Sequence, residues 1–385
     1  VSNEIAKVTS EKRTMNKIQS KRNKVSTILG ISLVATLLPA ASLADSKVVS
    51  ISNQVSGNSL QVFTARRDGT LVPNATIPTG GIGTGGGLGS QGAVSYDNNS
   101  NLIAAVNAGD GTVSVFSTRW NQIRFLTRFS SMGSRPVSVA IRDNVIFVLN
   151  QGTSSSPSGI QGFRINGTVA TPISGSSSGL SATYTNPAQI SFSPNGKHLV
   201  VTEKATNKIG IFEVNRSGQI GSSQFSNSNG ATPFGFAFSN SGYLFVTEAF
   251  GGASGASAVS AYGRVNGLNL QSISASVPTT QTAACWAATS PDDKYVFAAN
   301  AGSGTISTYD ISRHGFLTLA GNSTPIQGST PVDLAISKNG RSLYLLGAGL
   351  RGIVTFKVDK DGLLSRIDTD SVLQGSAGVA FIGEE

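Results

Sequence analysis

Seven times along this chain an aliphatic residue is followed three positions later by an aromatic one. The pairs are Leu60/Phe63, Val113/Phe116, Ile160/Phe163, Ile209/Phe212, Val259/Tyr262, Ile306/Tyr309 and Ile353/Phe356. Successive aromatics lie 47 to 53 residues apart. A fixed period in this range marks a repeat architecture, in which each unit leaves a face that only its neighbour can cover. Within one period the chain reads as four strand-sized segments. The clearest copy has residues 188–193, a Pro194-Asn195-Gly196 turn, 198–203, 208–215, a Ser217-Gly218 turn and a fourth segment from Gln219. Turn glycines recur after the aromatics (Gly69, Gly167, Gly218, Gly267, Gly315, Gly362), with Asn121 in the second copy, the residue next most tolerant of positive φ.

The first strand of each copy is also periodic: Arg135-Pro136, Asn186-Pro187, Thr232-Pro233 and Thr330-Pro331 each precede an apolar alternation, with weaker copies at 281–288 and 91–96. Proline suits the first residue of a strand because the ladder does not need its missing N–H. Third strands number seven, but the first-strand motif appears six times before Ser376. The C-terminus, 376–382, supplies the missing copy. The N-terminal unit therefore borrows its innermost strand from the other end of the chain, which closes a ring and removes an open edge. The expected fold is all-β: a seven-bladed β-propeller of four-stranded antiparallel blades, one domain spanning 45–385. Glycine-rich stretches at 80–92, 152–159, 175–180 and 251–257 are expected to be inserted loops. The first of them has no following lysine or helical pattern and so is a flexible connector, not a phosphate loop.

The formal charge of +9 invites a nucleic-acid partner, but its distribution argues against one. Lys7, Lys12, Arg13, Lys17, Lys21, Arg22 and Lys24 face only Glu4 and Glu11 within residues 1–44, so that head carries +5 and the other 341 residues +4. The head leads into an apolar stretch, 25–38, then Pro39 and Ser42-Leu43-Ala44. This is the pattern of a secretory signal cleaved between Ala44 and Asp45, with residues 1–14 an upstream extension before Met15. Fourteen apolar residues fall short of the roughly 20 a membrane span needs. The expectation is an exported protein, periplasmic or extracellular, with no membrane span after cleavage and no nucleic-acid partner, acting as a monomer. The single cysteine, Cys285, lies in an apolar run and reads as a buried small hydrophobe.

In a propeller the starts of the first strands and the ends of the second strands rim one mouth of the central channel. The second strands end at Asn53, Asn107, Asn150, Glu203, Glu248, Asn300 and Gly347. The third residues of the first strands, pointing to the channel, are Ala93, Ser138, Gln189, Gly235, Trp286, Asp333 and Gly378. Two glutamates at matching positions in adjacent blades are unusual, because Glu is a poor strand and turn former. Arg135 and Arg351 lie on the same rim. Carboxylates, guanidiniums, amides and a tryptophan in one mouth suit a small polar or anionic ligand, which Arg can clamp in bidentate fashion. No cofactor is indicated, although mouth oxygens such as those of Glu203 and Asn150 could accept calcium. His198 and His314 fall on turns away from the mouth and read as solvated.

The run Asn186-Pro-Ala-Gln-Ile-Ser-Phe-Ser-Pro-Asn-Gly-Lys-His-Leu-Val-Val-Thr-Glu203, followed by Asn207-Lys-Ile-Gly-Ile-Phe212, resembles the repeat of the seven-bladed lactonase family, which includes bacterial phosphogluconolactonases and carboxymuconate lactonizing enzymes. The resemblance spans the chain after residue 44 by repeat pattern. It implies action on a sugar-acid or muconate-type lactone at the channel mouth. In the family the first strand reads Pro-Arg-His and the second ends in Asn-Glu. Here Pro187 and Glu203 match, while Ala188 and Gln189 hold the arginine and histidine positions. Glu203, which matches the family motif, is a catalytic candidate together with Glu248 and Arg135 of the same mouth. Gln189, Asp333, Trp286, Asn150, Asn300 and Arg351 are the substrate-binding ones. The alternative is a non-catalytic exported propeller that binds a ligand, glycan or protein.

Overall fold

Twenty-nine strands, from β1 (Lys47–Ile51) to β29 (Ala377–Ile382), make up residues 46–383, the part of the chain that the computed structural model describes. The basic head, the apolar stretch and the Ala44/Asp45 junction lie outside these residues. The strands form seven antiparallel sheets. The first has the order β29-β1-β2-β3, where β2 is Ser59–Ala65 and β3 is Leu71–Pro78. The other blades begin at β4 (Val94–Asp97), β8 (Pro136–Arg142), β13 (Pro187–Phe192), β17 (Pro233–Phe238), β21 (Ala284–Thr289) and β25 (Pro331–Ile336). These inner strands touch in sequence around a ring, and β29 takes its place between β25 and β4. The C-terminal strand closes the propeller in the register Lys47↔Ile382 and Val49↔Ala380.

The aliphatic–aromatic pairs have a physical reason. Residues three apart on a strand point to opposite faces, so each pair belongs to a third strand that is buried on both sides. The aromatic packs on the preceding blade and the aliphatic on the following one. Phe212 joins Phe147 and Leu149 of the third blade, whereas Ile209 joins Phe236 and Val246 of the fifth. Tyr309 meets Val259 and Phe245, and Ile306 meets Phe356 and Leu343. The Tyr309 hydroxyl keeps a partner by donating to the Val277 carbonyl (2.9 Å) of the neighbouring blade. Each blade is thus a slab with one aromatic and one aliphatic side, and the ring repeats that match seven times.

Two local expectations change. In the third blade the fourth position is shared: β11 (Val169–Pro172) and a short β12 (Ser178–Gly179) both pair with β10 (Gly159–Asn166). The glycine-rich insertion at 175–180 is therefore part of the sheet, held by the buried Ser176, whose hydroxyl donates to the Ile173 carbonyl (2.6 Å). In the second blade the inner strand starts at Val94, not residue 91, because 88–93 enters the channel. At the outer turns Asn121 adopts φ 57°, standing in for a glycine such as Gly218 at 82°.

Candidate functional site at the channel mouth

The inner strands of blades three to seven each carry a register shift just after their first residue, as at Pro136/Ser138, Pro187/Gln189 and Pro331/Asp333. A bulge takes a backbone N–H out of its own ladder, and a buried N–H must find another acceptor. The preceding blade provides it. Ser138 Oγ accepts from the Ile190 N–H (3.2 Å). Gln189 Oε1 accepts from the Phe236 N–H (2.7 Å), while its Nε2 donates to the Phe236 carbonyl (3.1 Å). Asp333 accepts from the Leu334 N–H (2.8 Å) and the Val379 N–H (3.1 Å). Burial pushes the Asp333 carboxyl up to about 7, against these backbone donors. Gln189 and Asp333, expected as ligand contacts, tie the fourth blade to the fifth and the seventh to the first, as Ser138 ties the third to the fourth.

The fifth blade has no side chain to contribute at this position, since it holds Gly235. Gln91 serves instead, reaching in from the β3–β4 connection. Its Oε1 accepts from the Ala287 N–H (3.1 Å) and its Nε2 donates to the Ala287 carbonyl (2.8 Å). A Cβ on Gly235 would lie 2.0 Å from Gln91 Oε1, so that glycine is the space the amide occupies. The same connection is anchored on three blades. The Ser90 carbonyl accepts the Trp286 indole N–H (2.9 Å), Ser90 Oγ donates to Val137 (2.8 Å), and the Gln91 N–H donates to Ala188 (3.0 Å). Leu88, Ser90 and Gln91 are buried. The stretch expected to be a flexible connector is a plug across the channel. Its glycines allow close backbone approach: a Cβ on Gly83 would lie 2.1 Å from the Asn53 carbonyl carbon. Gln91→Ala is expected to cost about 1–3 kcal/mol by leaving the Ala287 N–H and carbonyl unmatched. Urea denaturation and faster amide exchange at Ala287 would show it.

The rim residues divide by orientation. β14 (His198–Glu203) and β18 (Leu244–Glu248) end in the two glutamates, and both side chains are fully enclosed. Glu203 accepts the Ser181 N–H (3.0 Å), the Ser181 hydroxyl and the Thr206 hydroxyl (2.5 Å). Glu248 accepts the Gly230 N–H (2.8 Å) and the hydroxyls of Ser228 (3.1 Å), Ser260 (2.6 Å) and Ser276 (2.6 Å). These donors come from the loop entering the blade, from the turn after its second strand and from its outer strands, and the two carboxylates share no partner. Asn300 Nδ2 donates to the hydroxyls of Thr305 and Ser307 (3.0 and 2.9 Å), and Asn150 Nδ2 donates to the Ser131 carbonyl (3.2 Å). At this shared position both carboxylates are engaged by donors from the adjoining loops and strands. Neither pairs with an arginine, since the ion pairs among the described residues are Arg128–Asp110, Lys294–Asp292 and Lys360–Asp361. Among the described residues no three His, Cys, Asp or Glu side chains converge as a metal-holding group.

What the mouth does present is cationic. Arg135 is exposed just before β8 with a left-handed backbone (φ 55°), and Arg351 is exposed on the seventh-blade turn that follows Gly347 (φ 50°). Lys204, one residue past Glu203, lies over the Phe234 ring at 4.5 Å and donates to the Gly89 carbonyl of the plug. Burial pushes its ammonium down to about 8, with the nearby Arg135 charge adding in the same direction. Phe234 in turn packs edge-on against Trp286 at 5.3 Å. Sequence reasoning missed Lys204, because a lysine at a strand end looks solvated and its ceiling comes from other blades. Cys285 beneath it is buried, and desolvation raises its thiol to about 12, which fits an inert core residue. His314 is exposed on its turn, but His198 is buried, contrary to the expectation of a solvated histidine.

Fold and rim together define a ring-closed, seven-bladed propeller with a plugged channel and a basic mouth. The chain belongs to the family described as lactonase, 7-bladed beta-propeller, whose model matches residues 168–249 and 255–381. Among solved structures it is similar to the periplasmic gluconolactonase PpgL of Pseudomonas aeruginosa, with a TM-score of 0.71 and 14% identity over 88% of this chain and 99% of that one. It is also similar to a candidate 6-phosphogluconolactonase from Bacteroides fragilis, with a TM-score of 0.69 and 18% identity over 89% and 99% of the two chains. At these identities the likeness is one of fold. No curated protein sequence matches the chain.

Proposed function

We propose that this family member is an exported protein that takes a small anionic sugar-acid or muconate-type lactone at the channel mouth, with Lys204 and Arg135 as the groups that meet it. The observation carrying this reading is the placement of Lys204: an amine held over Phe234 and against the plug, beside an exposed guanidinium. Arg135 can grip a carboxylate or phosphate through paired N–H donors. A neutral Lys204 amine can take a proton from water attacking the lactone carbonyl, the part a histidine would otherwise play. Gln189 cannot do so, and Glu203 and Glu248 shape the rim without facing the substrate. Because Lys204 titrates at about 8, hydrolysis is expected to rise as pH passes through that value.

A second reading, ligand binding without turnover, is favoured by the links between blades, which commit Gln189, Asp333 and Trp286 to the backbone and fill the channel with Gln91. One experiment separates the two. Aldonolactones with and without a phosphate, and a muconolactone, are assayed for hydrolysis and for binding with wild type, Lys204→Met and Arg135→Gln. Turnover that disappears in Lys204→Met and loses affinity in Arg135→Gln supports the enzyme. Binding without turnover that both variants weaken supports the second reading. Neither binding nor turnover with any of these compounds overturns both.

A further inference from the structure

The face opposite the mouth carries a cleft of about 1040 Å³ between the third and fourth blades. Its walls bring together Arg142 at the end of β8, Arg164 on β10, Lys197 on the β13–β14 turn and Arg216 on the following outer turn. Against these four cations stand only Asp143 and Glu213. None of the four makes an ion pair among the described residues. In the comparable cleft between blades six and seven, two of the four cations, Lys294 and Lys360, are paired with Asp292 (3.1 Å) and Asp361 (2.6 Å), while Arg341 and Lys357 are not.

The first cleft is also built, not merely charged. The Arg142 guanidinium lies beneath the Pro194-Asn195-Gly196 turn, donating to the Pro194 carbonyl (3.0 Å). It occupies the space a Cβ on Gly196 would need, 2.3 Å from Nε. Arg164 donates to the Ser217 carbonyl (2.9 Å). Each guanidinium is thus fixed through one N–H and keeps others free, so little side-chain entropy remains to be lost on binding. His198, also in the wall, is 4% exposed and its Nδ1 has no hydrogen-bond partner. Phe192 adds a half-buried apolar surface beside it.

We propose that this cleft is a second binding site, for an acidic saccharide: a hydroxylated ring whose carboxylate or phosphate sits on Arg142 and Arg164. The sugar's C–H face rests on Phe192, and Lys197 and Arg216 set the long-range field. The site is independent of the mouth. Calorimetry on the protein tests it with trigalacturonate, glucose 6-phosphate, inorganic phosphate and neutral maltotriose. The first two probes decide whether the oxyanion is a carboxylate or a phosphate.

Binding of at least one acidic saccharide is expected, weakening by about tenfold or more in Lys197→Met/Arg216→Met, a pair with no structural hydrogen bond to lose, and in Arg142→Gln/Arg164→Gln. It should also weaken as salt rises from about 0.05 to about 0.3 M, as charge-driven contacts do. Binding that survives the double variant Lys204→Met/Arg135→Gln belongs to the cleft and not to the mouth. The proposal is overturned if neither acidic saccharide binds or if the Lys197/Arg216 variant binds unchanged. Maltotriose or inorganic phosphate binding as tightly as the acidic saccharides overturns it too.

Discussion

Glu248→Ala is expected to destabilise the protein by about 3–5 kcal/mol, because it strips a buried acceptor from several donors at once. The carboxylate has no solvent exposure and receives the Gly230 N–H and the hydroxyls of Ser228, Ser260 and Ser276. Serine hydroxyls can rotate toward other acceptors, but the Gly230 N–H is fixed by the backbone and would be left in a cavity. Its neighbourhood has no slack: a Cβ on Gly230 would already lie 2.2 Å from Glu248 Oε2. Glu248→Gln keeps one carbonyl oxygen of the same shape and is expected to cost about 1–2 kcal/mol. Urea denaturation of the two variants and wild type checks the order. The same measurement separates an anchor from a catalyst. An anchor loses midpoint while each folded molecule retains its activity toward any lactone that the wild type turns over. An unchanged midpoint in Glu248→Ala would refute the anchoring role.

The contrast between what was and was not legible in the sequence follows from distance along the chain. The third strands announce themselves because both of their faces are buried, which leaves two constraints three residues apart in every blade. The borrowed strand was legible from a count of motifs. The register of the rim was legible too, since Glu203, Glu248 and Asn300 do end their strands at matching heights. Their orientation was not. Whether a residue at a strand end turns inward or over its own blade depends on loop hydroxyls such as Ser181 and Ser228, whose positions no periodicity encodes. The plug was hidden for a similar reason. Gln91 meets Ala287 across 196 residues, and its neighbours in sequence are glycines that look like slack. Gly235 was visible as a gap in a column of channel-facing residues, yet its meaning needed the amide that fills it. Lys204 and His198 share this pattern, one covered by Phe234 and Gly89, the other enclosed beneath the third and fourth blades.

Removing residues 376–385, and with them β29, is expected to abolish the cooperative thermal transition at moderate temperature. The strand buries Ala377, Val379 and Ile382 and stacks Phe381 on Tyr344 at 6.1 Å between centroids. At about 1.5–3 kcal/mol for each large apolar side chain, its loss takes roughly 5 kcal/mol or more, comparable to the whole stability of an ordinary domain of about 5–15 kcal/mol. Polar losses add to this. Gln61 Nε2 loses Ser376 Oγ (2.7 Å), and Asp333 loses the Val379 N–H at the point where the seventh blade meets the first. β1 would become an open edge whose backbone groups can pair with another chain, so the truncated protein should also aggregate. A synthetic peptide of residues 376–383, added in trans, should restore a transition whose midpoint rises with peptide concentration, as linkage requires of a ligand that binds only the folded ring. A truncated chain melting within about 1 °C of the full one, less than a 1 kcal/mol loss would produce in a domain of this size, would mean that the ring does not depend on its closing strand.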